Sequence, residues 1–389
     1  MNRLLFEGRS LVGIVSSIVR QDDLHVVYSR LDWERMFRLA DFHKVANVVY
    51  LGVLGHGDSL PDRWRERFFE RYQESLLFGE NCREQIAEIL TWLDMREISC
   101  TLLTYEFVRD FYRLPEMADT TPIQILLDSE NYFYAKGYLI DLGYETDQTY
   151  KGMGERLRRV SGVPVILYYH LPFRTSKYIK NIEKLLETSY PKEPYTYIQM
   201  LPPESEFIYR MAGAAYRYVT DDLTLREVLD LLLCHRAWRD EINMEAVWRK
   251  LADFQVEELS EKILRIGYMW FGDKKDNYFQ NQPEDMSVYD ILEDRLLTKG
   301  IINHETDEQA LKLQNLIEKD VEKERKGEYW ELQKEKAGKF LERIKRKIRW
   351  AFPDFHYMAS IYPLLEKVPV LLPVFWIIRG MRLLFRTMR

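Results

Sequence analysis

The sequence contains little cysteine. Its 389 residues include only Cys82, Cys100 and Cys234, and each of them lies within an apolar or helical pattern. Disulfide-stapled extracellular domains and Cys-x-x-Cys metal sites both need paired cysteines. The sequence therefore excludes these two classes, and we expect the chain to reside in the reducing cytoplasm.

The sequence also lacks a long hydrophobic run. The longest strongly apolar stretch, Val368 to Ile378, is interrupted by Pro369 and Pro373, whereas a membrane-spanning helix needs roughly 20 apolar residues. Near the start of the chain, Glu7 and Arg9 interrupt the segment that a signal peptide would keep apolar. We therefore predict neither a membrane span nor secretion.

Several catalytic signatures are missing. The chain has no Walker loop, no Gly-x-Ser-x-Gly elbow and no Cys-His dyad, and none of its seven histidines has the spacing of a zinc ligand pair. The glycine cluster at Gly55-His56-Gly57 follows a helical pattern rather than a strand and has no Lys-Ser/Thr after it. It is typical of a turn between helices. No metal site is predicted from these residues.

Charge is modest overall but uneven along the chain. The net charge of −6 predicts no nucleic-acid partner, because such partners require clustered basic surface. Residues 339–389, however, hold eleven Lys and Arg against three acids, which makes the rest of the chain strongly acidic. Within this region, residues 368–389 interleave arginines with apolar residues. Two interpretations remain open for this tail, a peripheral contact with an anionic membrane surface and packing onto the acidic body.

Hydrophobic periodicity predicts an α+β fold in which a small mixed sheet is embedded in a predominantly helical chain. Apolar strand candidates occupy residues 100–104, 122–128 and 163–169, and a helical pattern follows the second of them as far as Gly143. We expect four regions. They are an N-terminal helical region (1–97), an α/β core (98–200), a second helical region (201–300), and a charged connector with a basic helical tail (301–389).

The stretch Leu102 to Tyr112, followed by a strand-helix unit that ends Asp141-Leu142-Gly143-Tyr144, resembles the bacterial uncharacterised nucleotidyltransferase family. Arg226 and Asp230 match the Gly-Ile-Arg-x-x-x-Asp helix of that family, and the resemblance is collinear over nearly the whole chain. It implies a core similar to the minimal nucleotidyltransferase and DNA polymerase beta fold.

The resemblance also implies a metal site that this chain has lost. Family members carry an Asp-x-Asp strand and a third acid on a neighbouring strand, and such carboxylates hold the divalent metals that activate nucleotidyl transfer. The aligned positions here are Pro122, Gln124 and Ile166. The family Lys-Gly turn is Thr104-Tyr105, and its His-x-x-Lys-His stretch corresponds to residues 213–217. We therefore predict no cofactor and no metal.

From these losses we expect a catalytically impaired pseudoenzyme that binds a small molecule or a protein partner. The alternative is an active transferase with relocated acids, Asp119 or Asp128, which alone would require Mg²⁺ and a nucleoside triphosphate. Arg109 and the Arg226–Asp230 pair are each open to two interpretations, an anion contact or a structural ion pair. The candidate cleft residues are Thr104, Tyr105, Arg109, Gln124, Tyr168, Arg226 and Asp230.

Overall fold

The structure is a computed structural model that describes residues 3–22, 30–54, 60–105, 107–273, 278–279, 286–326, 355, 358, 362 and 364–387. Its contacts divide the chain into two compact units, residues 1–318 and residues 319–389. No helix among the described residues is both long and apolar enough to cross a membrane. Each unit is described by itself below.

The first unit begins with a layer of helices. The Asp32 carboxylate accepts a hydrogen bond of 3.2 Å from the Arg35 amide and so caps the second of them. The fourth helix runs for 34 residues. The four helices are α1 (Arg3–Arg20), α2 (Trp33–Phe42), α3 (Ala46–Val53) and α4 (Asp62–Met95).

A seven-stranded sheet follows these helices, in the order β3-β4-β5-β2-β1-β7-β6. The β2–β5 and β1–β7 pairs are parallel, and the other pairs are antiparallel. The predicted mixed sheet and α+β class are confirmed. The strands are β1 (Cys100–Leu102), β2 (Ile123–Leu127), β3 (Glu145–Tyr150), β4 (Gly154–Arg158), β5 (Val165–Tyr168), β6 (Tyr190–Pro191) and β7 (Ile198–Met200).

One face of the sheet forms the main core of this region. Ile123, Ile125 and Leu127 alternate along β2 and pack together with apolar side chains of α4 and of α5 (Ser129–Asp141). Asp128 ends the strand and starts α5, since its carboxylate accepts the amide hydrogens of the first helical turn. The opposite face of β2 therefore carries Gln124.

Further helices complete the first unit, and several begin at a capping side chain. Thr224 and Glu227 form a reciprocal capping box at the start of α8. Arg295 on α11 is buried and binds Asp221, so it ties α11 to the segment after α7. These helices are α6 (Ser176–Leu186), α7 (Pro203–Val219), α8 (Leu225–Ala237), α9 (Met244–Phe254), α10 (Glu257–Phe271) and α11 (Ser287–Leu297). A further helix, α12, covers residues 308–326, and the division between the two units falls within it, after residue 318.

The second unit is small in its described part. It contains the short helix α13 (Leu364–Lys367) and the longer helix α14 (Leu372–Thr387). Met358 and Leu365 are its buried centre. Aromatic side chains of α14 pack against them, so this unit has an apolar cluster of its own.

The structure differs from the sequence pattern in two places. The resemblance implies a helix after the first strand that would carry Glu106, Arg109 and Asp110, but residues 108–111 form a single 3₁₀ turn, and Glu106 lies outside the described residues. The hairpin of β3 and β4 was missed. Almost every residue of β3 is exposed at the edge of the sheet, so no apolar alternation marks this strand in the sequence.

Candidate functional site

Two of the three positions at which the resemblance implies acids lie side by side. Gln124 on β2 and Ile166 on β5 are Cα partners in the parallel ladder, so their side chains lie on the same face of the sheet. Pro122 lies immediately before β2 and two residues before Gln124, so it has the same position in the strand alternation as Gln124. The expected convergence of strands is present, but Ile166 is only 6% exposed and apolar.

Helix α7 closes over this face. The Tyr209 hydroxyl of α7 donates a hydrogen bond of 3.4 Å to Oε1 of Gln124, and Tyr209 is itself buried. Burial raises the pKa of Tyr209 to about 12, so the phenol stays neutral at physiological pH. Tyr168 follows Ile166 by two residues on β5, so it lies on the same face of the sheet, and it is buried too. A neutral phenol, an amide and an aliphatic side chain thus occupy the place where the resemblance implies carboxylates.

The turn at Thr104-Tyr105 is held by a buried ion pair of α7. The Tyr105 amide donates to Oε1 of Glu206 at 2.5 Å, and Nε of Arg210 donates to the same oxygen at 2.7 Å. Arg210 also reaches the Tyr105 carbonyl oxygen at 3.3 Å. The Tyr105 ring stacks on Phe111 with centroids 5.6 Å apart. The backbone amide at this turn is therefore already bound to a carboxylate.

Arg226 and Asp230 lie elsewhere, in a buried network around α8. The Arg226 guanidinium donates to the Tyr112 hydroxyl at 2.8 Å, to the Met117 carbonyl at 2.6 Å and to Oδ1 of Asn47 at 2.9 Å. The Tyr112 hydroxyl in turn donates to Asp230. Arg226 and Asp230 are 4% and 8% exposed.

Burial dominates the electrostatics of this network. It raises the pKa of Asp230 despite the opposing effects of Arg226 and of the Tyr112 hydroxyl. It also raises the pKa of Tyr112 well above its ordinary value. The donors of Arg226 bind groups of α3, of the Tyr112 loop and of the turn at Lys44, so the network joins separate segments of the chain.

Arg109 lies in a third place, against α4. Its guanidinium donates to Sγ of Cys82 at 3.3 Å and to the Pro115 carbonyl at 3.5 Å. A Cβ atom at Gly79 would lie 2.2 Å from Nη2 of Arg109, so the glycine gives the guanidinium room beside the helix. The structure thus places Tyr105 and Gln124 in contact with α7, with Thr104 next to Tyr105 in the chain and Tyr168 on the same sheet face as Gln124. It places Arg109, Arg226 and Asp230 in other contacts.

The two acids proposed as substitutes lie at opposite ends of β2. Asp128 caps α5 through Oδ1 and accepts a further bond from the Asn131 side chain at 2.7 Å. Asp119 lies in the loop before the strand. Within the part of the chain that the structure describes, no group of three His, Cys, Asp or Glu side chains is arranged to hold a metal ion.

A groove of about 640 Å³ opens beside Asp119, near the start of β2, and no sequence motif indicated it. Arg156 and Arg158 of β4 line it, and Arg156 is the Cα partner of Ile166. Lys44 and Asp119 line it as well. Arg156 lies 3.5 Å from Asp147, whereas Arg158 and Lys44 have no ion-pair partner among the described side chains. The alternation of Gly154, Arg156 and Arg158 was the available signal, but it needed β4 to be recognised first.

Comparison with known proteins gives one match. No curated protein and no solved structure is detectably similar to this chain. The sequence model described as an uncharacterised nucleotidyltransferase matches residues 29–272, which is more than half of the chain. This span includes the strands β1 to β7, the turn at Tyr105 and the Arg226–Asp230 helix. The chain therefore belongs to the uncharacterised nucleotidyltransferase family.

Proposed function

We propose that this protein is a pseudoenzyme of its family, which no longer transfers nucleotides and acts by binding. The observation that carries the proposal is the pairing of Gln124 with Ile166 under Tyr209. Mg²⁺ prefers hard, charged oxygen ligands, and metal-assisted phosphoryl transfer depends on them. An amide and an isoleucine supply neither the charge nor the geometry.

The turn at Tyr105 supports the same proposal. A phosphate approaching its backbone amide would meet the Glu206 carboxylate, which already accepts that hydrogen. Like charges in a buried setting repel strongly because solvent screening is weak there. Arg210 neutralises Glu206 locally, but a triphosphate would have to displace this pair. The two features support the proposal independently of each other, one against metal binding and one against phosphate binding.

The alternative, an active enzyme with relocated acids, is less well supported. Asp119 and Asp128 flank a five-residue strand, and that strand alone spans roughly 17 Å at the usual rise per residue. The carboxylate of Asp128 is already used as a helix cap. Two acids so placed could not share one metal ion.

We propose further that the ligand carries an anionic group and binds in the groove beside Asp119 and β4 without a metal ion. Acids and bases both line this groove, and Arg71 and Arg156 are already paired with acids. Arg158 and Lys44 form no ion pair among the described side chains, although Glu145 is the cross-strand neighbour of Arg158. Asp119 and Glu145 on the same lining favour a ligand that also carries a hydrogen-bond donor or a positive group.

A reducing cytoplasm suits this proposal. Cys82, Cys100 and Cys234 are buried thiols that form no disulfide. Burial raises the pKa of Cys100 to about 12, so this thiol is not ionised at neutral pH. Oxidising conditions would bring such a protein no stabilising cross-link.

Calorimetric titration with Mg-ATP and Mg-CTP, together with radiolabel transfer from these nucleotides onto cell extract, tests the pseudoenzyme proposal. We expect no metal-dependent tight binding and no transfer. Label transfer that disappears in Asp119→Ala or in Asp128→Ser would refute it. Asp128→Ser is the sharper variant of the pair, because serine keeps a helix cap while removing the carboxylate.

The groove is tested separately, with pyrophosphate and EDTA in the calorimeter. We expect binding without metal that weakens at least about fivefold in Arg158→Gln, as loss of one charge-assisted hydrogen bond implies. Arg249→Gln is the matched control, since Arg249 is an exposed arginine of α9 outside the groove. Equal weakening in both variants, or no binding by the wild type, would refute the groove as the site.

A further inference from the structure

Helix α14 presents two different apolar faces. Phe375 and Trp376 pack against the small cluster around Met358 and Leu365. Val374, Ile377, Ile378 and Met381 are instead 49%, 64%, 36% and 49% exposed. Their spacing of three and four residues places these four side chains on one stripe of the helix. We call them the outer stripe.

The outer stripe is a strongly apolar surface for an exposed helix. Val370, in the turn just before the helix, extends it and is 85% exposed. The cluster around Met358 already engages the other face of the helix, so folding of the second unit does not require the outer stripe to be covered. An exposed continuous apolar surface of this kind marks an interaction site.

The charge of the same segment identifies the kind of partner. Residues 372–389 contain four arginines, Arg379, Arg382, Arg386 and Arg389, and no acidic residue. Aliphatic side chains gain nothing from the phosphate backbone of a nucleic acid, whereas they are stabilised in the acyl region of a bilayer. Arginine close to such a helix is attracted to anionic head groups.

We propose that α14 lies in the plane of an anionic phospholipid surface, with the outer stripe inserted at the head-group boundary. Its sixteen residues give a helix of about 24 Å, and it is not apolar enough to cross a bilayer. An in-plane helix needs only one apolar face, and the outer stripe supplies it.

Co-sedimentation of the full chain with vesicles tests this inference. One set of vesicles contains phosphatidylcholine alone, and the other contains phosphatidylcholine mixed with about one third of the anionic lipid phosphatidylglycerol. We expect binding to the anionic vesicles only, and we expect it to fall at least about tenfold between low and high salt as the charges are screened.

Two variants separate the outer stripe from general charge effects. Ile377→Asp combined with Met381→Asp should reduce partitioning at least about tenfold, because charged groups do not enter the acyl boundary. Met95→Asp combined with Ile140→Asp is the matched control and should bind as the wild type does, because Met95 and Ile140 are 79% and 50% exposed in the first unit, outside both the tail and the groove. Far-ultraviolet circular dichroism of both variants should match the wild type, since the changed side chains are exposed.

Three results would overturn the inference. The first is absence of binding to anionic vesicles, and the second is undiminished binding after removal of residues 368–389. The third is tight binding of the tail to duplex DNA with none to vesicles. None of them bears on the groove, which the pyrophosphate titration tests independently.

Discussion

Acid should destabilise this protein through one buried histidine. His43 is completely buried at the end of α2, and the Leu225 amide of α8 donates to its Nδ1 at 3.2 Å. Nδ1 must therefore be the unprotonated nitrogen, and the proton resides on Nε2. Protonating Nδ1 would set two N–H donors against each other in a buried site. Burial, with a smaller effect of Lys299, lowers the pKa of His43 to about 3.

The sign and size of the effect follow from the two pKa values. The unfolded chain has an ordinary histidine pKa of about 6.5 and so binds the proton first as pH falls. A lowered folded-state pKa therefore removes stability between about pH 6.5 and pH 3, and leaves it intact above that window. Between pH 7 and pH 5 the loss is about 2 kcal/mol.

Urea denaturation followed by tryptophan fluorescence at pH 7 and pH 5 measures the loss. His43→Asn is the control, because its Oδ1 can accept the Leu225 hydrogen from nearly the position of Nδ1 but does not titrate. We expect the wild type to lose about 2 kcal/mol more than this variant between the two pH values. An equal pH dependence in both proteins would show that His43 is not the titrating group.

Three further predictions concern packing and boundaries. Tyr112→Phe should destabilise the fold by about 2–3 kcal/mol in urea denaturation, because the buried Asp230 carboxylate loses its hydroxyl donor. Gly154→Ala should lower the melting temperature, since a Cβ would lie 2.0 Å from a backbone oxygen of β5, whereas Gly137→Ala, in open space on α5, should add about 0.5–1 kcal/mol. A fragment of residues 29–272 should show weaker hydrogen-exchange protection than the full chain, because it lacks α1 and α11, which pack within the first unit.

The sequence was most informative where local chemistry decides the structure. The alternating burial of β2 follows from an apolar run that ends at a capping aspartate, and Asp128 stops the strand where its carboxylate can start α5. The pairing of positions 124 and 166 was implied only through the family resemblance. It needs a parallel crossover, which no local pattern specifies.

The contact between α7 and the sheet could not be predicted from local sequence patterns. Helix α7 enters the sequence about eighty residues after Gln124, and the contact between Tyr209 and that amide is a product of tertiary packing. Likewise, Arg226 and Asp230 have the spacing of an ordinary helical ion pair. Their actual bridge runs through Tyr112, more than a hundred residues earlier in the chain. The hydrophobic period and the residue spacing along a helix contain no information on contacts with residues so far away in the chain.

The residues at the positions where the resemblance implies metal ligands are mutually consistent in physical terms. A cluster of carboxylates without a metal repels itself, and burying it would be strongly unfavourable. Ile166 is buried here and an isoleucine gains roughly 1.5–3 kcal/mol from such burial, while half-buried Gln124 accepts the Tyr209 hydrogen. Glu206 of the same helix binds the Tyr105 amide. Acids placed at positions 124 and 166 alone would therefore not create a metal site, because Tyr209 and the Glu206–Arg210 pair of α7 would still lie beside them.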